Sequence, residues 1–303
     1  MELGFILLKQ ILIMFIFMAI GYVLFKKDKI TTHGSKDIGT LLIYCVIPII
    51  IIKSFWISYS KEKLEILIST FFISLAVLLI SILISYLFFK DNGVKNFGAA
   101  FSNAGFIGIP LVTAVLGGDS VFFIACIIAE LNIFQFTYGV FIMTNKKDVI
   151  SYKKILTNPI LISFIVGIFI FLLRIPEIDI ATQTMSLISG INTPLAMIIY
   201  GVYLAQADLK LMFSSKDLYL ISLVRLVIIP IATLLFLMIL PKDLYTAKLA
   251  ILIAASAPTG SNVAIYAQQY EKDYSSAVLI VCITTILSII TLPIITSIAA
   301  TLF

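Results

Sequence analysis

The chain has 303 residues, 61% of them hydrophobic and only 12% charged, with a mean hydropathy of +1.14. A soluble domain sits near half apolar and a quarter charged, and a membrane barrel alternates apolar and polar residues in short strands. Both are excluded in favour of an all-α polytopic membrane protein. The net charge of +5 comes from loop lysines and points to no nucleic-acid partner.

Ten spans are predicted in chain order, at roughly 3–25, 38–57, 64–89, 94–116, 121–144, 157–174, 184–205, 218–240, 246–270 and 275–302. The first is expected to span rather than to be cleaved. Its apolar run is too long for a leader, Met1-Glu2 is no basic start, and Lys26-Lys27-Asp28-Lys29 follows with no small-residue cleavage site. The most polar connector, NKKDVISYKK over 145–154, falls at the midpoint. It divides the chain into a first repeat (1–144), a linker (145–156) and a second repeat (157–303). Five spans per half give the halves opposite topology, the arithmetic of an inverted repeat. Lys26, Lys27, Lys29, Lys36, Lys90, Lys95, Lys146, Lys147, Lys153 and Lys154 then fall on one side. The positive-inside rule makes that side cytoplasmic and puts both termini outside, in a plasma or inner membrane.

The fourth and ninth spans hold the irregular stretches. SNAGFIGIPLV begins at Ser102 and SAPTGSNVAI at Ser256; an offset of 154 residues superposes those two serines and places Asp119 on Asp273. Each stretch begins about nine or ten residues into its span, roughly half the hydrocarbon thickness at 1.5 Å per residue. Unwound backbone at that depth is tolerated only where it is buried in protein or lines a wet cavity. Paired interruptions in two repeats are the best sequence pointer to a transporter's binding site. The candidate site is therefore Asn103, Gly105, Gly108, Pro110, Pro258, Thr259, Gly260, Ser261 and Asn262. Half-helix amides attract an anionic group, Asn103 and Asn262 donate and accept without charge, the glycines permit close approach, and the prolines end helices. Pro48 and Pro194 in spans 2 and 7 are weaker signals, expected either to kink their helices or to line the cavity opposite.

Glu130, the one acid deep in a span, lies near Asn132 and Gln135. It is read either as a proton site or as half of a buried pair with Arg225, the one deep basic residue. Neither irregular stretch contains Asp or Glu, which suits an organic anion better than a bare cation. Cys45, Cys126 and Cys282 lack metal-ligand spacing, and His33, in a polar loop, is the sole histidine. No catalytic constellation, metal site or cofactor is expected.

NAGFIGIPLV followed by GGDS, and SAPTGSNVAIYAQQY followed by EKD, resemble the two signature regions of the auxin efflux carrier family, which includes plant auxin exporters and bacterial permeases. The resemblance covers essentially the whole chain. It implies a fold similar to bile acid–sodium symporters and sodium–proton antiporters: a scaffold (spans 1, 2, 6 and 7), a transport domain (spans 3–5 and 8–10) with two crossed helices, and dimerisation through the scaffold. It implies Pro110 and Pro258 as the crossover prolines and Asn103 as a binding residue. The plant-type aromatic and acidic positions around spans 2–3 have no clear counterpart here. The expected activity is elevator-type transport of a small organic anion, a carboxylate or auxin-like acid, with H+ or Na+ as coupling partner open. The alternative is a sodium-coupled organic anion symporter resembling bile acid carriers.

Overall fold

A computed structural model describes residues 2–146 and 149–303; Lys147, counted above among the cytoplasmic lysines, lies outside them. The described residues are helical, with no strand beyond one isolated bridge. In chain order the helices are α1 (Glu2–Lys26), α2 (Thr32–Phe55), α3 (Lys61–Phe89), α4 (Gly93–Ala100), α5 (Ala104–Leu116), α6 (Gly118–Thr144), α7 (Tyr152–Leu156), α8 (Pro159–Leu172), α9 (Asp179–Gln206), α10 (Leu209–Ser214), α11 (Lys216–Met238), α12 (Tyr245–Ser256), α13 (Asn262–Gln269) and α14 (Tyr274–Leu302). Seven of these (α1, α2, α3, α6, α9, α11 and α14) are long and apolar enough to cross a membrane. The remaining apolar segments are shorter. Spans 4 and 9 are each broken in two, as α4–α5 and α12–α13, and span 6 is the 14-residue α8.

Local chemistry fixes the helix ends. Thr31, Ser60, Asn92, Asn158 and Asp273 each accept a first-turn amide through the side chain, opening α2, α3, α4, α8 and α14. Pro159, at the first position of α8, needs no amide partner there. Inside three helices the turn widens to π geometry, over Leu42–Val46, Ala104–Gly108 and Val224–Ile228. Each widened turn ends two residues before a proline: Pro48, Pro110 and Pro230. A proline ring collides with the carbonyl four residues back and offers no N–H; the wider turn moves that carbonyl aside. A fourth π turn, Gln135–Gly139 in α6, has no such proline and carries a residue of the site below.

α1 and α9 meet backbone to backbone. A Cβ on Gly21 would stand 2.2 Å from the Ile198 carbonyl oxygen, and one on Gly201 would stand 2.0 Å from that of Met18. Small residues at such contacts let helices approach where lipid supplies no hydrophobic drive.

Candidate functional site

The two breaks meet. Ser102 and Thr259 form an antiparallel bridge, with Asn103 N–H donating to Pro258 O at 2.8 Å and Gly260 N–H to Phe101 O at 3.1 Å. Two short unwound segments thus satisfy one another's backbone groups, the requirement for irregular backbone away from water. The half-helices match across the crossing. α4 and α13 pack together and are 8 residues each, while the longer α5 and α12 pack on the other side. Sequence spacing puts the crossing midway along each span; in the structure it lies nearer the α4/α13 end.

At the carbonyl ends every acceptor that closes α4 has a partner. Phe97 O takes Phe101 N–H at 3.1 Å, and Gly98 O takes the Thr259 hydroxyl at 2.8 Å. Ala99 O and Ala100 O take Arg225 Nη1 at 2.9 and 3.3 Å. The other terminal nitrogen, Nη2, donates to Ala255 O at the end of α12.

The amide ends differ. Asn103 caps α5, its Oδ1 accepting from Phe106 N–H at 3.1 Å, while its Nδ2 donates to the Tyr200 hydroxyl. Asn262 opens α13, and its Nδ2 donates to Gln135 Oε1 at 2.6 Å. Ser261, at the cap position of α13, accepts no amide through its side chain. Gly108 and Gly260 are sites of close approach: added Cβ atoms would lie 3.3 Å from Ala254 Cα and 3.3 Å from Ser102 O respectively.

A cavity of about 570 Å³ opens beside the crossing. Asn103, Gly105, Gly260, Ser261 and Asn262 line it from the breaks, and Asn132 and Gln135 from α6. Lys36 and Lys154 also line it, and no Asp or Glu does among the described residues. Pro258 and Thr259 are buried behind the bridge. Pro110 faces a second cavity of about 350 Å³, reached from the other end and lined by Lys53, Asp119 and Asn192. Asn192 Nδ2 contacts Gly105 O at 3.5 Å, tying α9 to the first break. Neither Pro48 nor Pro194 lines either cavity; their neighbours Ile47 and Thr193 do.

One expectation is corrected. Glu130 and Arg225 do not pair: Arg225 is spent on backbone carbonyls, and buried Glu130 forms no ion pair among the described residues. Glu130 lines neither cavity; its neighbours are Ser74 of α3 and Cys126, one turn back on α6. Asn132 turns back to its own helix, donating to Ile128 O at 2.8 Å.

Tyr200 is the residue that sequence reasoning missed. It is fully buried, and its hydroxyl bonds Asn103 and lies beside Ser261, touching both breaks. In the run IIYGVYL nothing separates it from a tyrosine at the lipid interface. No curated protein matches the chain. The family described as membrane transport protein matches residues 6–296; the chain is a multi-pass membrane transport protein of the auxin efflux carrier family.

Proposed function

We propose that this protein is a secondary transporter of a small organic anion, such as a carboxylate or auxin-like acid, bound where the first-turn amides of α5 and α13 face the larger cavity. The observation that carries this reading is the pairing of charge and geometry there. Among the described residues the cavity holds two lysines and no carboxylate, and it ends on the starts of two half-helices. Helix amides and dipoles favour an anion at that point. Asn262 and Ser261 supply neutral donors, and Asn103 holds the loop in shape.

In this reading the seven long helices, α8 and the two composite spans make ten, five in each inverted half. α1, α2, α8 and α9 form the scaffold and the rest the moving domain. The glycine contacts that lock α1 to α9 suit a part that does not move. The Asn103–Tyr200 and Asn192–Gly105 bonds cross that boundary and would break in each elevator stroke. The larger cavity, on the side of Lys36 and Lys154, corresponds to an inward-facing state, with both termini outside and two copies joined through their scaffolds.

The test is uptake into proteoliposomes of labelled malate, malonate and indole-3-acetate, each in sodium and in potassium medium. Saturable uptake of at least one is expected, competed by other carboxylates. Saturable uptake of organic cations or neutral solutes with none of any carboxylate would defeat the reading.

A further inference from the structure

The carbonyl side of the crossing carries its own ion. Arg225 is 0% exposed and has no carboxylate partner; the ion pairs among the described residues are His33–Asp37, Lys61–Glu65 and Lys95–Asp217. Its guanidinium instead bridges the last carbonyls of two half-helices from opposite halves of the chain: Ala99 and Ala100 of α4, and Ala255 of α12. Its Nε has no partner.

Burying a cation without a counter-charge is costly. What offsets the cost is the arrangement of the acceptors. Helix C-termini carry partial negative charge, and a cation is stabilised within the last turn. Here two C-termini converge on one point. Three carbonyl oxygens at that point, with a helix dipole behind each set, are the ligands a hard monovalent cation would take.

We infer that Arg225 is a built-in counter-ion: it fills a cation pocket formed by the carbonyl ends of both half-helices, so no free cation is bound there and none is carried from that pocket. Arg225 is a positioning residue, since it holds α4 against α12 and thereby sets how the amide ends of α5 and α13 are presented. The inference goes beyond the anion reading and does not depend on it. It concerns the opposite ends of the half-helices and is tested with no substrate present.

The purified full chain in detergent is compared with Arg225→Ala, Arg225→Lys and Arg225→Gln. Unfolding midpoints are measured in guanidinium, sodium or choline chloride at equal low-millimolar concentration. Wild type should respond to the three salts alike. Arg225→Ala should unfold several degrees lower, recover much of the loss in guanidinium and none in choline, because choline is too bulky to reach the carbonyl oxygens and has no N–H to donate to them. A recovery in sodium as well would support the pocket and show that it accepts a transportable ion. Arg225→Lys should lie well above Arg225→Gln, since lysine restores charge and glutamine only donors.

Three outcomes overturn the inference. One is a Gln variant as stable as the Lys variant. Another is an Ala variant that guanidinium stabilises no more than it does wild type. The third is failure of the Lys variant to fold, since any cation at that position should suffice. If only the Ala variant fails to fold, the Lys–Gln comparison decides. Loss of the inference would leave carboxylate uptake unaffected, and absence of carboxylate uptake would leave these melting shifts unaffected.

Discussion

The two breaks look interchangeable on paper, each with an asparagine, a glycine and a proline, yet they are held differently. Asn103 is 5% exposed and committed on all sides: its backbone amide goes to Pro258, its Oδ1 to Phe106 and its Nδ2 to Tyr200. Asn262 is half-buried, and its side chain makes one bond, to Gln135. The first break is a structural clamp and the second is the more adaptable surface. The two breaks thus divide the labour, with one asparagine shaping the loop and the other free to exchange partners.

Asn103→Ala offers the strongest way to break this contrast. It removes the α5 cap, the Phe106 N–H bond, worth about 1 kcal/mol, and takes from the buried Tyr200 hydroxyl its Asn103 donor, at about 1–3 kcal/mol for such a group. A total loss of about 2–4 kcal/mol is expected, read as a lower unfolding midpoint with no ligand present. A variant melting with wild type would show that the first break does not depend on its asparagine.

Tyr200→Phe isolates one side of that clamp. The ring still fills its space, but Asn103 Nδ2 is left without an acceptor in a buried site. About 1–2 kcal/mol should be lost. Because the bond ties α9 to the first break, the proposed elevator stroke has one bond fewer to break. Uptake per folded molecule should therefore hold or rise even as stability falls.

Much of this arrangement is legible in the sequence, and the limit is physical. Helix-breaking residues are local signals, so the positions of both breaks follow from Asn103, Gly105, Pro110, Pro258 and Gly260. Which side chains close the crossing does not follow. Tyr200 reaches Asn103 across 97 positions, Arg225 reaches Ala99 across 126, and Asn262 reaches Gln135 across 127. Arg225 illustrates the limit best. A buried cation in a sequence calls for a buried anion, and Glu130 is the obvious choice. Two helix C-termini converging in space serve instead, and no residue type announces them.

The glycines sharpen the comparison at smaller amplitude. A Cβ at Gly105 would meet Ile47 Cδ1 at 3.3 Å, the far end of a flexible side chain. A Cβ at Gly260 would meet Ser102 O at the same 3.3 Å, and that oxygen belongs to the bridge. Gly260→Ala should therefore cost about 1–2 kcal/mol, and Gly105→Ala distinctly less, as judged by paired melting curves. Equal costs would mean the bridge yields as readily as a side chain.

Asn262→Ala should disturb the fold least and transport most selectively. The side chain gives up one partly exposed bond to Gln135, so about 0.5–1.5 kcal/mol of stability is at stake. Gln135, already lining the cavity, can turn to water there. In the anion reading a bound carboxylate loses the donor that Asn262 would offer it, and a hydrogen bond of that size corresponds to roughly a tenfold weaker apparent affinity. In proteoliposomes the concentration for half-maximal uptake should rise about tenfold while the maximal rate per folded molecule changes little. Asn262→Gln, which keeps the amide at a longer reach, should recover part of that affinity. If Asn262→Ala instead melted as far below wild type as Asn103→Ala and transported with unchanged affinity, the two asparagines would be equivalent clamps, and the anion would have to be held by the backbone amides alone.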